Sequence, residues 1–313
     1  MKISGFTFSR NASKLGYPFK ESIESILPIV DEFIVVLGDS EPDDQSEEII
    51  RSIPSEKVKV INTVWDLEAY PRGMEHAHQT DIAKQACKGD WLFYLQADEL
   101  IHEKDHRAIV DRCAELLDDK EVEGLLFNYH HFWGDYWHVH YAHGWYQNEI
   151  RIIRNDPDIH SWESAQSFRR IPNFDGKSYR QQEGTQKLKV AKVNADIYHY
   201  GWVRPPHLMK TKSFYMSTNH HGRKAAESKD DGSSVFDYGP LSLADLFKGT
   251  HPKVMQKQVE AFDWKSQLYE KGPIPKRQKL FKHEKLKNRW MGRIERGLFG
   301  KQLFTFKNYE LIR

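Results

Sequence analysis

Residues of this chain that could do chemistry cluster where apolar runs end. The plainest case is Trp91-Leu92-Phe93-Tyr94-Leu95-Gln96-Ala97-Asp98-Glu99, a strand-like run that passes straight into an acidic turn. Carboxylates at the C-terminal end of a strand in an open α/β sheet point into its ligand crevice. An Asp there can hold a divalent cation against a diphosphate, because Mg²⁺ and Mn²⁺ take oxygen ligands. The competing reading makes Asp98 the N-cap of a following helix, and the stretch alone leaves both standing. A second acidic turn, Gly38-Asp39-Ser40-Glu41-Pro42-Asp43-Asp44, follows the apolar run 32–37. Asp44 is placed to cap a helix that starts at Gln45. Asp39 comes too early for that and is assigned to hydrogen bonds with a nucleobase or ribose.

These turns need a scaffold that brings them to one edge, and the periodicity predicts one. Residues 2–8, 32–37, 57–61 and 91–95 read as strands, and 17–27, 45–53 and 75–87 as helices. This β-α-β order predicts an α/β fold, a mostly parallel sheet flanked by helices. Beyond Glu103 the pattern changes. A helix is expected over 105–117, strands over 122–128, 149–154 and 195–200, a helix over 205–226, and a polar loop over 227–239. Residues 129–146 hold eight aromatics and five histidines.

A 313-residue chain that is 39% hydrophobic and 29% charged is globular, as one large α/β domain with an appendage or as two small domains. No apolar run approaches the roughly 20 residues of a membrane span, and the first ten residues lack the apolar core of a secretory signal. A cytoplasmic location is therefore expected. Cys87 and Cys113 fall in helix-like segments, which excludes a disulfide framework and a Cys-based zinc site. The net charge of +1 hides an asymmetry: residues 273–313 carry 12 Lys+Arg against 3 Asp+Glu, the rest 34 against 42. In that tail Leu286, Trp290, Ile294 and Leu298 share one helical face, and Lys285, Lys287, Arg289, Arg293 and Arg296 fill the rest. Such a helix can lie on an anionic membrane surface as a peripheral contact at its inner face. The preferred reading packs the apolar face on the acidic body instead. With the basic residues confined to one short tail and an acidic presumed cleft, no nucleic-acid partner is expected.

Taken together, Gly5-Phe6-Thr7-Phe8-Ser9-Arg10-Asn11, Glu21-Ser22-Ile23 to Asp31-Glu32-Phe33, Gly38-Asp39-Ser40 with Asp43, and Leu95-Gln96-Ala97-Asp98-Glu99 resemble the family-2 glycosyltransferases of the GT-A fold. The resemblance implies a GT-A domain over 1–205, with a nucleotide-binding half 1–100 and an acceptor half 101–205, and a helical extension over 206–313 that ends in the basic tail. It implies transfer of a sugar from a nucleotide-diphospho-sugar donor to a glycan or lipid-linked acceptor of the cell envelope, with inversion. By position it puts Thr7 and Asn11 in the nucleotide pocket, Asp39 on the base, and Asp98 on a Mn²⁺ or Mg²⁺ ion and the diphosphate, with His199 completing the metal site. Gln96 would bond a ribose hydroxyl. Asp81, in Gln79-Thr80-Asp81 where the family often has Arg-Asn, is a further donor-site candidate. Arg204, Lys210 and Lys212 would stabilise the leaving diphosphate, unless they form only a solvated basic helix face. The sequence departs from the family at Gln96, where the Asp-x-Asp motif has its first Asp. A Gln adds no negative charge, so metal affinity is expected to fall.

An inverting transfer needs a base near the acceptor hydroxyl, and a carboxylate is the usual choice. Glu149, Glu163, Asp135 and Asp158 follow the metal motif. Glu163 is preferred because related enzymes place their base in a short acidic motif near there, whereas Glu149 is read as ion-paired with Arg151. Trp133, Trp137 and Trp145 are candidates for an acceptor platform, with ordinary core packing as the alternative. Two other functions compete. A catalytically silent sugar- or nucleotide-binding protein gains support from Gln96. A sugar nucleotidyltransferase would want a Gly-rich loop after the first strand, where Ser9-Arg10-Asn11-Ala12-Ser13 has no glycine.

Overall fold

Alternating strands and helices build the first third of the chain. The computed structural model describes residues 1–277, 279–299 and 307–313, the side chains of Arg296 and Phe299 excepted. Its first elements are β1 (Ile3–Ser9), α1 (Phe19–Ile26), β2 (Glu32–Leu37), α2 (Ser46–Arg51), β3 (Val58–Asn62), α3 (Met74–Gln85) and β4 (Trp91–Tyr94). All six residues of β2 are buried, because both of its faces are covered. Phe33, Val35 and Leu37 pack with Phe19, Ile23 and Ile26 of α1, while Ile34 and Val36 pack with Ala83 of α3. The three α1 residues recur at helical spacing, and Pro28 stops the helix soon after Ile26. The order β3-β2-β1-β4 is parallel throughout, with Thr7 opposite Val35 and Phe6 opposite Tyr94.

The next elements are β5 (Glu99–Ile101), α4 (His106–Glu115), β6 (Gly124–Trp133), β7 (His138–His140), β8 (Asn148–Arg154), β9 (Ile159–Trp162), β10 (Ser167–Arg170) and β11 (Gln186–Trp202). The sheet continues β4-β8-β6-β11-β10-β9. β8 runs antiparallel to both β4 and β6, and β6 runs parallel to β11. The start of β8 therefore lies at the same edge as the carboxyl ends of β1, β2, β4, β6 and β11. Glu149, Asp98 and His199 reach one edge by this topology, although 50 residues or more separate them in sequence. The strand expected over 195–200 extends to 17 residues. Its first half carried a visible signal, since Leu188, Val190 and Val193 are buried among exposed or half-exposed lysines.

The described residues from 206 onward include α5 (Pro206–His221), α6 (Arg223–Lys229), β12 (Asp245–Leu246), α7 (Gln256–Glu260), α8 (Leu286–Phe299) and β13 (Tyr309–Leu311). This segment is woven into the body rather than appended to it. β12 pairs with β7, and β13 adds in parallel to β11 with Tyr309 opposite Leu188. Met255 and Trp264 join Phe132, Tyr198 and Tyr200 in one buried cluster. Cys87 and Cys113 are free and buried.

The tail helix corrects one expectation. α8 does not pack its apolar stripe on the body: Leu286, Trp290, Ile294 and Leu298 are exposed, from 54% at Ile294 to 73% at Leu298. The opposite side makes the contact. Gly292 is buried against the His143 backbone, and buried Glu295 meets His143 Nδ1 at 3.0 Å. The Arg296 side chain, also assigned to this helix, lies outside the described residues. Among the described residues no helix is long and apolar enough to cross a membrane.

Candidate active site

The carboxyl edge of the sheet opens into a cleft of about 540 Å³, within the range of small-molecule sites. Arg10, Trp65, Gln96, Asp98, His199 and Lys212 are among its lining residues. At its base Asp98 is buried. Its Oδ2 accepts from Lys212 Nζ at 3.0 Å, and its Oδ1 lies 3.8 Å from His199 Nε2. Lys212 also donates to the Gly201 carbonyl at 2.7 Å. Burial alone would raise the Asp98 carboxyl, but the Lys212 charge beside it holds it well below the usual carboxylate range. Burial, then the Arg204 charge, lowers the Lys212 ammonium, and Asp98 opposes them.

The hydrogen bonds assign the His199 tautomer. His131 Nε2 lies 2.7 Å from the Tyr146 carbonyl, so it donates there. His131 Nδ1 then accepts from His199 Nδ1 at 3.0 Å. Burial pushes both imidazoles down and keeps them neutral. His199 Nε2 is left as a lone pair facing Asp98. Gly201 makes the room, because a Cβ there would run into His199 Nε2.

The metal expected at this edge can be tested against these groups. Gln96 brings no charge, and its amide donates to the Ala165 carbonyl at 2.9 Å. Asp98 is the carboxylate that pairs with His199 among the described residues, and an ammonium already sits on it. Two unit charges 4 Å apart interact by about 4 kcal/mol at an effective dielectric of 20, and a dication beside an ammonium would be repelled by about twice that. Among the described residues no group of three His, Cys, Asp or Glu is placed to share one ion. This donor set does not fit a resident divalent cation.

The other residues singled out in the sequence fall into three groups. The first frames the cleft without facing it. Thr7 Oγ1 donates to the Leu95 carbonyl at 2.6 Å and so ties β1 to β4. Asn11 adopts a left-handed φ of 55°, which Asn tolerates, and accepts from the Glu41 backbone N–H at 2.7 Å. Asp39 accepts from the Trp65 backbone N–H at 3.0 Å and from Arg10 at 3.2 Å, and both partners line the cleft. Arg204 is fully buried, donating to the Leu15 and Gly201 carbonyls, with Nη2 unpartnered.

A second group lies elsewhere. Asp81 accepts from Ser161 N–H and pairs with His160 at 2.7 Å, joining α3 to β9. Trp133 is buried, ringed by Trp145, Trp202, Phe281 and His283. Trp137 is exposed and packs against Phe262. Lys210 pairs at the surface with Asp230 and Asp231, so Lys210 and Lys212 do not share a solvated face.

The third group meets in a second cleft of about 440 Å³, lined in part by Trp145, Glu149 and Glu163. Tyr146, Gln166 and Lys282 line both clefts, so the two adjoin. Glu149 is buried, and burial pushes its carboxyl up to about 7 against the pull of Arg151. Its Oε2 has no hydrogen-bond partner. The expected Glu149–Arg151 ion pair does not form. Arg151 is the extra residue of a β-bulge, since Leu126 faces Ile150 and Leu125 faces Ile152. Its guanidinium instead clasps Glu99 at 2.7 and 2.8 Å. Glu163 also adopts a left-handed φ, of 59°, and lies 3.7 Å from Arg180.

The chain is similar to solved glycosyltransferases. S. aureus TarS matches at 14% identity over 70% of this chain and 39% of its own, with a TM-score of 0.39. Glucosyl-3-phosphoglycerate synthase from Mycobacterium tuberculosis, solved with Mn²⁺, UDP and phosphoglyceric acid, matches at 19% identity over 41% of this chain and 43% of its own, with a TM-score of 0.29. The mannosyltransferase PcManGT from Pyrobaculum calidifontis, solved with GDP-Man and Mn²⁺, matches at 19% identity over 40% of this chain and 34% of its own, with a TM-score of 0.30. The chain thus spans less than half the length of each of these three. No protein-family model and no curated protein matches it.

Sequence reading underrated Lys212 and passed over Gln166 and Lys282. Lys212 stands in a helix of low amphipathicity among Lys210, Thr211 and Ser213, where nothing marks one lysine as buried. Gln166 and Lys282 reach the cleft only through the folding of distant loops.

Proposed function

We propose that this protein is an inverting glycosyltransferase that uses a nucleotide-diphospho-sugar, with Glu149 as its base. The observation that carries this reading is the pair of adjoining clefts. One has a buried ammonium where a donor diphosphate needs positive charge. The other has a buried carboxyl, raised to about 7, with a bare oxygen. A base works best when its pKa lies near the operating pH, and perturbed groups in a cleft mark functional sites. The acceptor hydroxyl enters beside Glu149 and gives up its proton to Oε2. Its oxygen attacks the anomeric carbon, the bond from that carbon to the diphosphate breaks, and the electron pair leaves with the phosphate. Asp39 and Asn11 act through Arg10, Trp65 and Tyr215, which they hold at the rim. Trp145 serves as acceptor contact rather than Trp133 or Trp137. Incubation with a panel of UDP- and GDP-sugars, with and without simple glycan acceptors, tests the reading. Release of nucleoside diphosphate from at least one donor is expected. Binding without turnover for every donor and acceptor would move the chain to the silent-binding class.

The acceptor is a glycan or lipid-linked saccharide, met at the cytoplasmic face of a membrane. This part rests on α8, whose exposed apolar stripe is flanked by Lys285, Lys287 and Arg293 at the surface. Apolar residues with cations on either side match an anionic lipid surface. The full chain is expected to sediment with vesicles rich in phosphatidylglycerol and to be released by salt. Trp290→Glu with Ile294→Glu should abolish the binding and leave the melting temperature unchanged, since both side chains are exposed. A full-length protein that ignores such vesicles would refute the membrane contact.

A further inference from the structure

We infer that Lys212 takes the place of a divalent metal at the donor diphosphate, so that donor binding and turnover proceed without a metal ion. The inference rests on the glycosyltransferase reading and names how that site handles charge. Lys212 projects from α5 to the carboxyl edge of the sheet and lines the donor cleft. Asp98 and the Gly201 carbonyl engage two of its three N–H donors. Its Nζ also lies 4.6 Å from the centroid of the Tyr17 ring. The guanidinium of Arg204 lies 4.6 Å from the same ring, buried and with Nη2 free of hydrogen bonds.

The charge balance decides the matter. Lys212 Nζ lies 3.0 Å from Asp98 Oδ2, and the Arg204 guanidinium shares the Tyr17 ring with it, so two basic side chains meet one carboxylate. His199 turns a lone pair toward Asp98, and Gln96 has no charge. The cluster is therefore one positive charge in excess. A buried positive excess attracts a diphosphate anion and repels a dication. Asp98 then acts as a positioning residue that aims Lys212, and His199 as an uncharged acceptor beside it. When the glycosidic bond breaks, its electron pair goes to the departing phosphate oxygen, and the growing negative charge meets the ammonium. The acceptor proton goes to the base, and Lys212 keeps all of its own.

Calorimetric titration of the full chain with UDP, GDP and ADP, in EDTA and again in Mn²⁺, tests the inference. At least one nucleoside diphosphate is expected to bind in EDTA with an affinity within about threefold of that in Mn²⁺, a difference under 0.7 kcal/mol. Lys212→Met should weaken binding in EDTA by roughly 10–100-fold, the usual worth of a charged hydrogen bond, and Lys212→Arg should recover part of the loss. Binding that vanishes in EDTA overturns the inference while leaving the glycosyltransferase reading intact. So does a folded Lys212→Met that binds in EDTA as the parent does. No binding in either buffer overturns both. The comparison of buffers needs no variant, so a Lys212→Met that fails to fold leaves the inference open to refutation.

Discussion

Glu149→Gln is expected to lower turnover by about 10²–10⁴-fold, the range for loss of a positioned base, and to leave nucleoside diphosphate affinity unchanged. The amide keeps the size of the side chain and its place on β8 but cannot take the acceptor proton. On its acid side the parent enzyme should gain activity as pH rises through about 7, because the Glu149 carboxyl must lose its proton before it can act, while the lowered Lys212 ammonium sets the fall on the basic side. Below that pH turnover should fall tenfold per unit. Glu163→Gln is the control. Glu163 is half-buried and lines the same cleft, and its left-handed backbone is the kind of strain that gathers at functional sites. A full-rate Glu149→Gln beside a dead Glu163→Gln would transfer the role of base to Glu163. Steady-state kinetics across pH 5 to 9 on the three proteins, with titration of the diphosphate alongside, separates the cases.

Arg151→Met is expected to destabilise the protein by about 3–5 kcal/mol, the cost of removing one partner from a buried ion pair. The side chains of Arg151 and Glu99 are both fully buried. Arg151 lies over the rings of Tyr94 and Tyr129, and the Tyr129 hydroxyl donates to Glu99 at 2.8 Å. Removing the guanidinium strands a carboxylate within an aromatic core. The melting temperature should drop by roughly 5–15 °C for a chain of this size. Replacing Glu99 and Arg151 together by Met should restore most of the loss, because the stranded charge goes with its partner. A drop of under 2 °C in Arg151→Met would show that the pair carries no such weight.

The N-terminal sheet was legible in the sequence because its order depends on local pattern. The apolar run of β2, the helical spacing of Phe19, Ile23 and Ile26, and the stop at Pro28 each act within a dozen residues, and the observed elements lie within a few residues of those expected. Asp98 was legible for a related reason: it follows an apolar strand, and strand ends in such sheets converge on one edge, whereas His199, which lies inside β11, was named only through the family resemblance. The later strands β9 and β10 were not. Each is only four residues long, too short for a period of two to stand out from chance.

The roles within the site divide along the same line. Composition and spacing determined that this chain is an α/β protein, without disulfides, whose reactive side chains sit at the carboxyl ends of its strands. Those are consequences of which residues are apolar and how often they recur. Only the tertiary structure decided which charges meet. Arg151 sits two residues from Glu149, yet at the bulge its guanidinium goes to Glu99, and Glu149 Oε2 is left without a hydrogen bond. Lys212 lies 114 residues from Asp98, yet α5 lays it on that carboxylate. The tail helix kept its predicted amphipathic face, and packing alone set which side of it touched the body. Local pattern sets where a backbone turns. The energy of a charge depends on which partners and how much water lie within a few ångströms of it, and in this fold those neighbours are 52 and 114 residues away in the chain.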